Sequence, residues 1–211
     1  MIHSLHGARL YLVSPARVAA GPLVDLVPEL VHAGVGMIQL REKDLEAGDL
    51  LRLGAPLVEV CAAAGVPFIV NDRPDVALAL GATGVHLGTN DLPTSVARTI
   101  LGGSIVGRST HGREDIVEAL ASSPDYIAVG PVHETPTKPG RPAAGIELVR
   151  HAAEVVTIPW FAIGGIDEDN IGEVLDAGAA RVVVVRAITE AADPVAAAAR
   201  LAGMLASVAS P

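Results

Sequence analysis

The sequence predicts an α/β fold, a closed (β/α)8 TIM barrel of eight parallel strands each followed by a helix, and three observations carry that prediction. Short apolar runs rich in valine and isoleucine recur eight times along the 211 residues. Between them lie stretches with apolar residues three and four apart, the helical period. No ninth element is left over, which favours closure over an open doubly wound sheet.

The elements follow in order. The predicted strands are "RLYLVS" (9–14), "GMIQLRE" (36–42), "PFIVND" (67–72), "GVHLG" (84–88), "SIVGRST" (104–110), "YIAVGPV" (126–132), "PWFAIGGI" (159–166) and "RVVVVRAI" (181–188). They are nearly continuous in apolar residues, as strands buried on both faces of a parallel sheet must be. The helical stretches include "LVDLVPELVHAG", "IVEALASS", "NIGEVLDAGA" and "PVAAAARLAGMLASV". Several stop at a glycine just before the next strand, at Gly34, Gly65, Gly81, Gly102 and Gly178. The length is short for eight such units, so the loops must be short, and residues 1–211 read as one barrel domain without linker or low-complexity segment.

Composition narrows the function. Half of the residues are hydrophobic and the formal net charge is −9, which disfavours nucleic acid or an anionic membrane as partner. Five aromatic residues offer no base-stacking platform. Cys61 is the only cysteine; it reads as core filler and fits a reducing cytoplasm, the expected location. No run approaches a membrane span, and the amino terminus lacks the long apolar centre of a signal peptide.

In barrel enzymes the site is built where strands end. Polar residues gather there: Gln39, Arg41 and Lys43; Asn71 and Asp72; His86 and Asp91; Ser109 and His111; Thr135, Thr137 and Lys138; then Gly164, Gly165 and Arg186. The chain has thirteen arginines but only two lysines, Lys43 and Lys138, and both fall on this rim. A compact ammonium there can meet phosphate oxygens as a point charge. Asp72 and Asp91 could converge on one hard cation, Mg²⁺ being commonly held by one or two carboxylates plus substrate phosphates. They could equally cap the helices that follow them, and spacing leaves both readings open. His86, His111 and His133 could in principle ligate zinc, but no H-x-H or H-E-x-x-H pair accompanies them, so satisfied rim histidines are the better reading. A glycine pair at the seventh strand end with a polar break at the eighth is where barrels often hold a phosphate, although such a pair by itself also serves any tight turn.

"QLREK" (39–43), "ND" (71–72), "HLGTNDLP" (86–93), "GRSTH" (107–111), "GPVHETPTKPG" (130–140) and "AIGGI" (162–166) resemble, in order and spacing, the thiamine phosphate synthase family. The resemblance runs from the second strand to the eighth. It implies a transferase that joins hydroxymethylpyrimidine diphosphate to thiazole phosphate and releases diphosphate, with Mg²⁺ as cofactor. By the same resemblance, Gln39, Arg41, Lys43 and Asn71 hold the pyrimidine diphosphate, with Ser109 and Lys138 as further donors. Asp72 and Asp91 hold the metal. Thr135, Pro136, Thr137, Gly165, Val185 and Arg186 cradle the thiazole phosphate. Catalysis then rests on Lys138, Ser109, Arg41 and Lys43, because loss of diphosphate needs charge stabilisation rather than a protein nucleophile.

Two positions depart from the family pattern: Thr89 stands where glutamine is common, and Arg186 where serine is common. Two rival functions stay in view. A related thiazole tautomerase would need an acid/base residue, for which His111 is a candidate, but has no use for a diphosphate–metal site. A non-catalytic sensor of phosphate ligands would explain the phosphate contacts but not a metal site beside a second phosphate pocket.

Overall fold

The structure, a computed structural model, describes residues 5–135 and 142–207. Eight strands close a parallel barrel: β1 (Leu10–Ser14), β2 (Val35–Leu40), β3 (Phe68–Asn71), β4 (Gly84–Leu87), β5 (Ile105–Thr110), β6 (Tyr126–Val129), β7 (Trp160–Ile163) and β8 (Val182–Val184). Each pairs with its chain neighbours, and β1 closes the ring by pairing with β8 through Leu10 and Val182.

Outside the ring run α1 (Leu23–His32), α2 (Ala47–Ala64), α3 (Pro74–Leu80), α4 (Thr94–Leu101), α5 (Arg113–Ala121), α6 (Ile146–Val155) and α7 (Ile171–Asp176). They are followed by α8 (Arg186–Thr189) and α9 (Pro194–Ala206). α2 and α3 stop on glycines in the left-handed region, Gly65 at φ 76° and Gly81 at φ 65°, where a side chain would be strained.

The chain departs locally from the sequence expectation, the sixth and seventh strands stopping at Val129 and Ile163. A small antiparallel hairpin, Arg17–Val18 against Gly21–Pro22, separates β1 from α1. The eighth strand is shorter than its apolar run, because Val185 leaves the extended region and the chain winds into α8, with Thr189 N–H donating to Val185 O at 2.9 Å. A continuous apolar run carries no signal for where a buried strand stops and a buried helix starts.

The core has two parts. A large cluster fills the space between strands and helices and includes Cys61 of α2. Burial pushes the Cys61 thiol up to about 12, so it is inert as a nucleophile at neutral pH. A smaller cluster fills the barrel itself, where Tyr11, Tyr126 and Phe161 pack edge to face with ring centroids 5.3 to 5.9 Å apart.

Alternation decides this filling. Side chains point inward at every second residue, giving Tyr11 and Val13 from β1, Ile105 from β5 and Val183 from β8. Gly107 of β5 makes the room: a Cβ there would lie 2.1 Å from Tyr126 Cζ. The aromatic plug therefore floors the carboxyl-terminal half of the barrel and leaves space above it.

Candidate active site

Two adjoining pockets open above that floor. The smaller, about 80 Å³, is lined by Gln39, Arg41, Lys43, Asn71, Asp72, His86, Asp91 and Ser109. The larger, about 360 Å³, includes His111, Thr135, Gly164, Gly165 and Arg186 in its wall. Ser109, Ile163, Val183 and Val185 belong to both, so they form the boundary. Every candidate site residue within the described chain lines one pocket or the other. Pro136, Thr137 and Lys138 lie outside the described residues.

The smaller pocket collects one inward residue after another. β2 ends with Gln39 inward, β3 with Asn71, β4 with His86 and β5 with Ser109. Asp72 follows β3 in the left-handed region at φ 61°, which aspartate tolerates better than most residues. Its N–H donates to His86 O at 2.8 Å. Neither Asp72 nor Asp91 caps a helix: α3 begins behind Arg73 and α4 behind Pro93, both without a side-chain cap.

Instead the two carboxylates meet. Burial, then a hydrogen bond and charge repulsion from Asp91, hold the Asp72 pKa above the usual carboxylate range, and Lys43 opposes this with its Nζ 3.4 Å from Asp72 Oδ2. Asp91 is fixed in turn by Gly88 N–H, which donates to Asp91 Oδ2 at 2.7 Å. Two carboxylates pressed together against their own repulsion form a donor set that suits a hard divalent cation. They leave its remaining positions to water and phosphate oxygens.

The three histidines go elsewhere. His86 is buried and His111 Nδ1 donates to Gly130 O at 2.5 Å, while His133 Nε2 lies 3.3 Å from Glu173 Oε1. Among the described residues no group of three or more histidine, cysteine or acidic side chains is arranged for a metal.

Beneath the smaller pocket runs a buried chain of hydrogen bonds that the sequence reading missed. Gln39 Nε2 donates to the Tyr11 hydroxyl, which lies 2.9 Å from the Tyr126 hydroxyl. Tyr126 reaches His86 Nδ1 at 3.0 Å, and His86 Nε2 reaches Ser109 Oγ at 2.9 Å. Burial raises the pKa of both tyrosines well above the ordinary phenol value, so each keeps its single proton. Each hydroxyl has one proton to give and two lone pairs, so beyond the Gln39 amide the chain can run in either direction. His86 thus bridges the Tyr126 hydroxyl and Ser109 Oγ through its two ring nitrogens. The one available signal was that the chain's only two tyrosines both fall in predicted strands.

The larger pocket depends on glycine in a second way. A Cβ on Gly164 would lie 2.5 Å from Pro131 Cα, and one on Gly165 would lie 2.7 Å from His133 Cβ. With φ of 108° and 65°, both positions also need glycine for the backbone itself. The segment after β6 therefore lies directly on the end of β7, with Val132 N–H donating to Ile163 O at 2.9 Å and His133 N–H to Gly164 O at 3.0 Å. That contact carries Thr135 into the pocket wall.

With this geometry in place, comparison with known proteins is decisive. Residues 10–188 match the family described as thiamine monophosphate synthase. The chain belongs to that family. Thiamine-phosphate synthases of Mycolicibacterium vanbaalenii and Acidothermus cellulolyticus are 50% and 51% identical to it, over 95% and 98% of this chain and 96% and 99% of theirs. The thiamine phosphate pyrophosphorylase structure from Pyrococcus furiosus superimposes with a TM-score of 0.88 at 34% identity, covering 96% of this chain and 98% of that one. A 3-hexulose-6-phosphate synthase structure, at 21% identity and a TM-score of 0.69, shares the fold. Family membership makes the chain a transferase of thiamine biosynthesis on a TIM barrel. Among the described residues no helix is long and apolar enough to cross a membrane.

Proposed function

We propose that the chain joins hydroxymethylpyrimidine diphosphate, held in the smaller pocket, to thiazole phosphate, held in the larger one, and releases diphosphate. The observation that supports this most strongly is the pair of pockets meeting at Ser109, one lined with cations and acids, the other with glycines, Thr135 and Arg186. A synthase needs two ligands side by side; a tautomerase or a single-ligand sensor needs one.

In this reading Gln39, Asn71 and Ser109 orient the pyrimidine diphosphate, while Arg41 and Lys43 bring positive charge to its phosphates. Asp72 and Asp91 hold Mg²⁺, which when bound neutralises charge on the leaving diphosphate. Charge grows on the departing oxygen as the C–O bond breaks, so the Ser109 O–H, Arg41 and Lys43 favour that state over the ground state. The aminopyrimidine delocalises the cation left behind, and the thiazole nitrogen across the shared wall captures it. Water would compete for that cation. The apolar side chains of Ile163, Val183 and Val185 at the boundary offer that water no hydrogen-bond partner. Thr135, Gly165, Val185 and Arg186 seat the thiazole phosphate. Pro136 and Thr137 join them, and Lys138 joins the diphosphate donors, on the strength of the motif they share with the family.

The test is to incubate the purified chain with both substrates and Mg²⁺ and to quantify thiamine phosphate and diphosphate. Equal amounts of the two products are expected. Thiazole phosphate bound without turnover would instead mark a sensor.

A further inference from the structure

The larger pocket is oddly charged for a phosphate ester. Its described lining carries three carboxylates, Glu134, Asp167 and Glu190, against a single lysine or arginine, Arg186. That one cation is already engaged: Arg186 Nε lies 2.8 Å from Glu190 Oε2, and both side chains line the cavity. They sit four residues apart, Arg186 opening α8 and Glu190 just past its end. Among the described residues, a phosphate entering this pocket therefore meets an Arg186 already paired with an internal anion.

We propose that Glu190 is the resting partner of Arg186, that the phosphate group of the thiazole substrate displaces it, and that this exchange sets the preference for phosphorylated over unphosphorylated thiazole. The proposal rests on the larger pocket being the thiazole phosphate site. Exchange is inexpensive because the pair is exposed, with side chains 49% and 58% accessible, and such pairs are weak. A phosphate offers the guanidinium fork more charge and paired acceptor oxygens, so it wins. An unphosphorylated alcohol offers neither and leaves the pair closed.

The experiment is a double-mutant cycle read by steady-state kinetics at saturating pyrimidine diphosphate. Glu190→Gln should lower the thiazole phosphate KM about twofold to fivefold, the scale of one exposed ion pair. The inhibition constant of inorganic phosphate should fall in parallel. The kcat, the pyrimidine diphosphate KM and the KM for unphosphorylated thiazole should not move. In an Arg186→Ala background, with Arg186→Gln as the second choice should that variant fail to fold, Glu190→Gln should change nothing. The same gain with and without Arg186 would mean that Glu190 repels the phosphate directly, and would overturn the proposal. An unchanged KM in the single variant would overturn it too. If the wild-type chain makes no thiamine phosphate at all, the functional reading falls and this proposal with it.

Discussion

His86 sets its Nε2 2.9 Å from Ser109 Oγ while its Nδ1 lies 3.0 Å from the Tyr126 hydroxyl. The imidazole therefore joins the barrel's buried polar chain to Ser109, the polar one of the four residues shared by both pockets. It holds the Ser109 hydroxyl in place, although in the proposed reaction it touches no reacting atom.

Removing either end of that contact should harm the same step. Ser109→Ala is expected to lower kcat roughly a hundredfold, the scale of one preorganised donor. His86→Phe should lose much of the same factor, and the double variant should lose little more than the worse single one. Single-turnover rates measure this. Fully additive losses would show that His86 and Ser109 act separately.

Tyr126→Phe keeps the ring but deletes the central hydroxyl. It leaves Tyr11 and His86 Nδ1 short of a partner inside a dry core, at a cost of about 1–3 kcal/mol. Urea unfolding should show this as a lower midpoint with an unchanged slope.

Gly107→Ala should be worse than a glycine change in a strand normally is. The new Cβ would stand 2.1 Å from Tyr126 Cζ, and overpacking of this kind costs about 1–3 kcal/mol or more. Displacing Tyr126 also disturbs its contact with His86, so kcat should fall along with stability. Urea unfolding together with kcat is the check, and wild-type values for both would mean that the ring is not held as described.

The two carboxylates give a prediction with a sign. Burial and Asp91 hold the Asp72 pKa above the usual carboxylate range, so the folded metal-free protein binds this proton more tightly than the unfolded chain does. The stability tied to this proton is fully present below the unfolded pKa and is lost as pH rises through the folded pKa. Asp72→Asn removes that loss, and asparagine also tolerates the left-handed backbone. Without metal the variant should melt above the wild type at neutral pH, with the gap closing toward about pH 4. Mg²⁺ should raise the wild-type melting temperature but not that of the variant. An equal Mg²⁺ response in both proteins would remove Asp72 from the metal site.

Much of this molecule was legible in its residues, for physical reasons. Strands buried on both faces print as apolar runs, and closure places their polar ends on one rim, so Gln39, Asn71, Asp72, Ser109 and Arg186 could be located before any coordinates. Spacing could not decide whether Asp72 and Asp91 cap helices or meet each other. That depends on the left-handed turn at Asp72 and on the Gly88–Asp91 contact. The Tyr11–Tyr126 pair joins residues 115 positions apart, and no local pattern marks such a contact. Gly164 and Gly165 were read for a phosphate or for a tight turn. Their tight approach to Pro131 and His133 shows that they also seat the segment after β6.

Whether two substrates meet across Ser109 is tested most directly by the KM for each substrate in Asn71→Ala and Arg186→Ala, compared with the wild type in one product assay. Asn71→Ala should raise the KM for the pyrimidine diphosphate roughly tenfold, as the loss of a hydrogen bond to a charged or polar ligand does, and leave that for thiazole phosphate alone. Arg186→Ala should do the reverse. If either variant raises both constants together, the two pockets do not divide the substrates and the account is wrong.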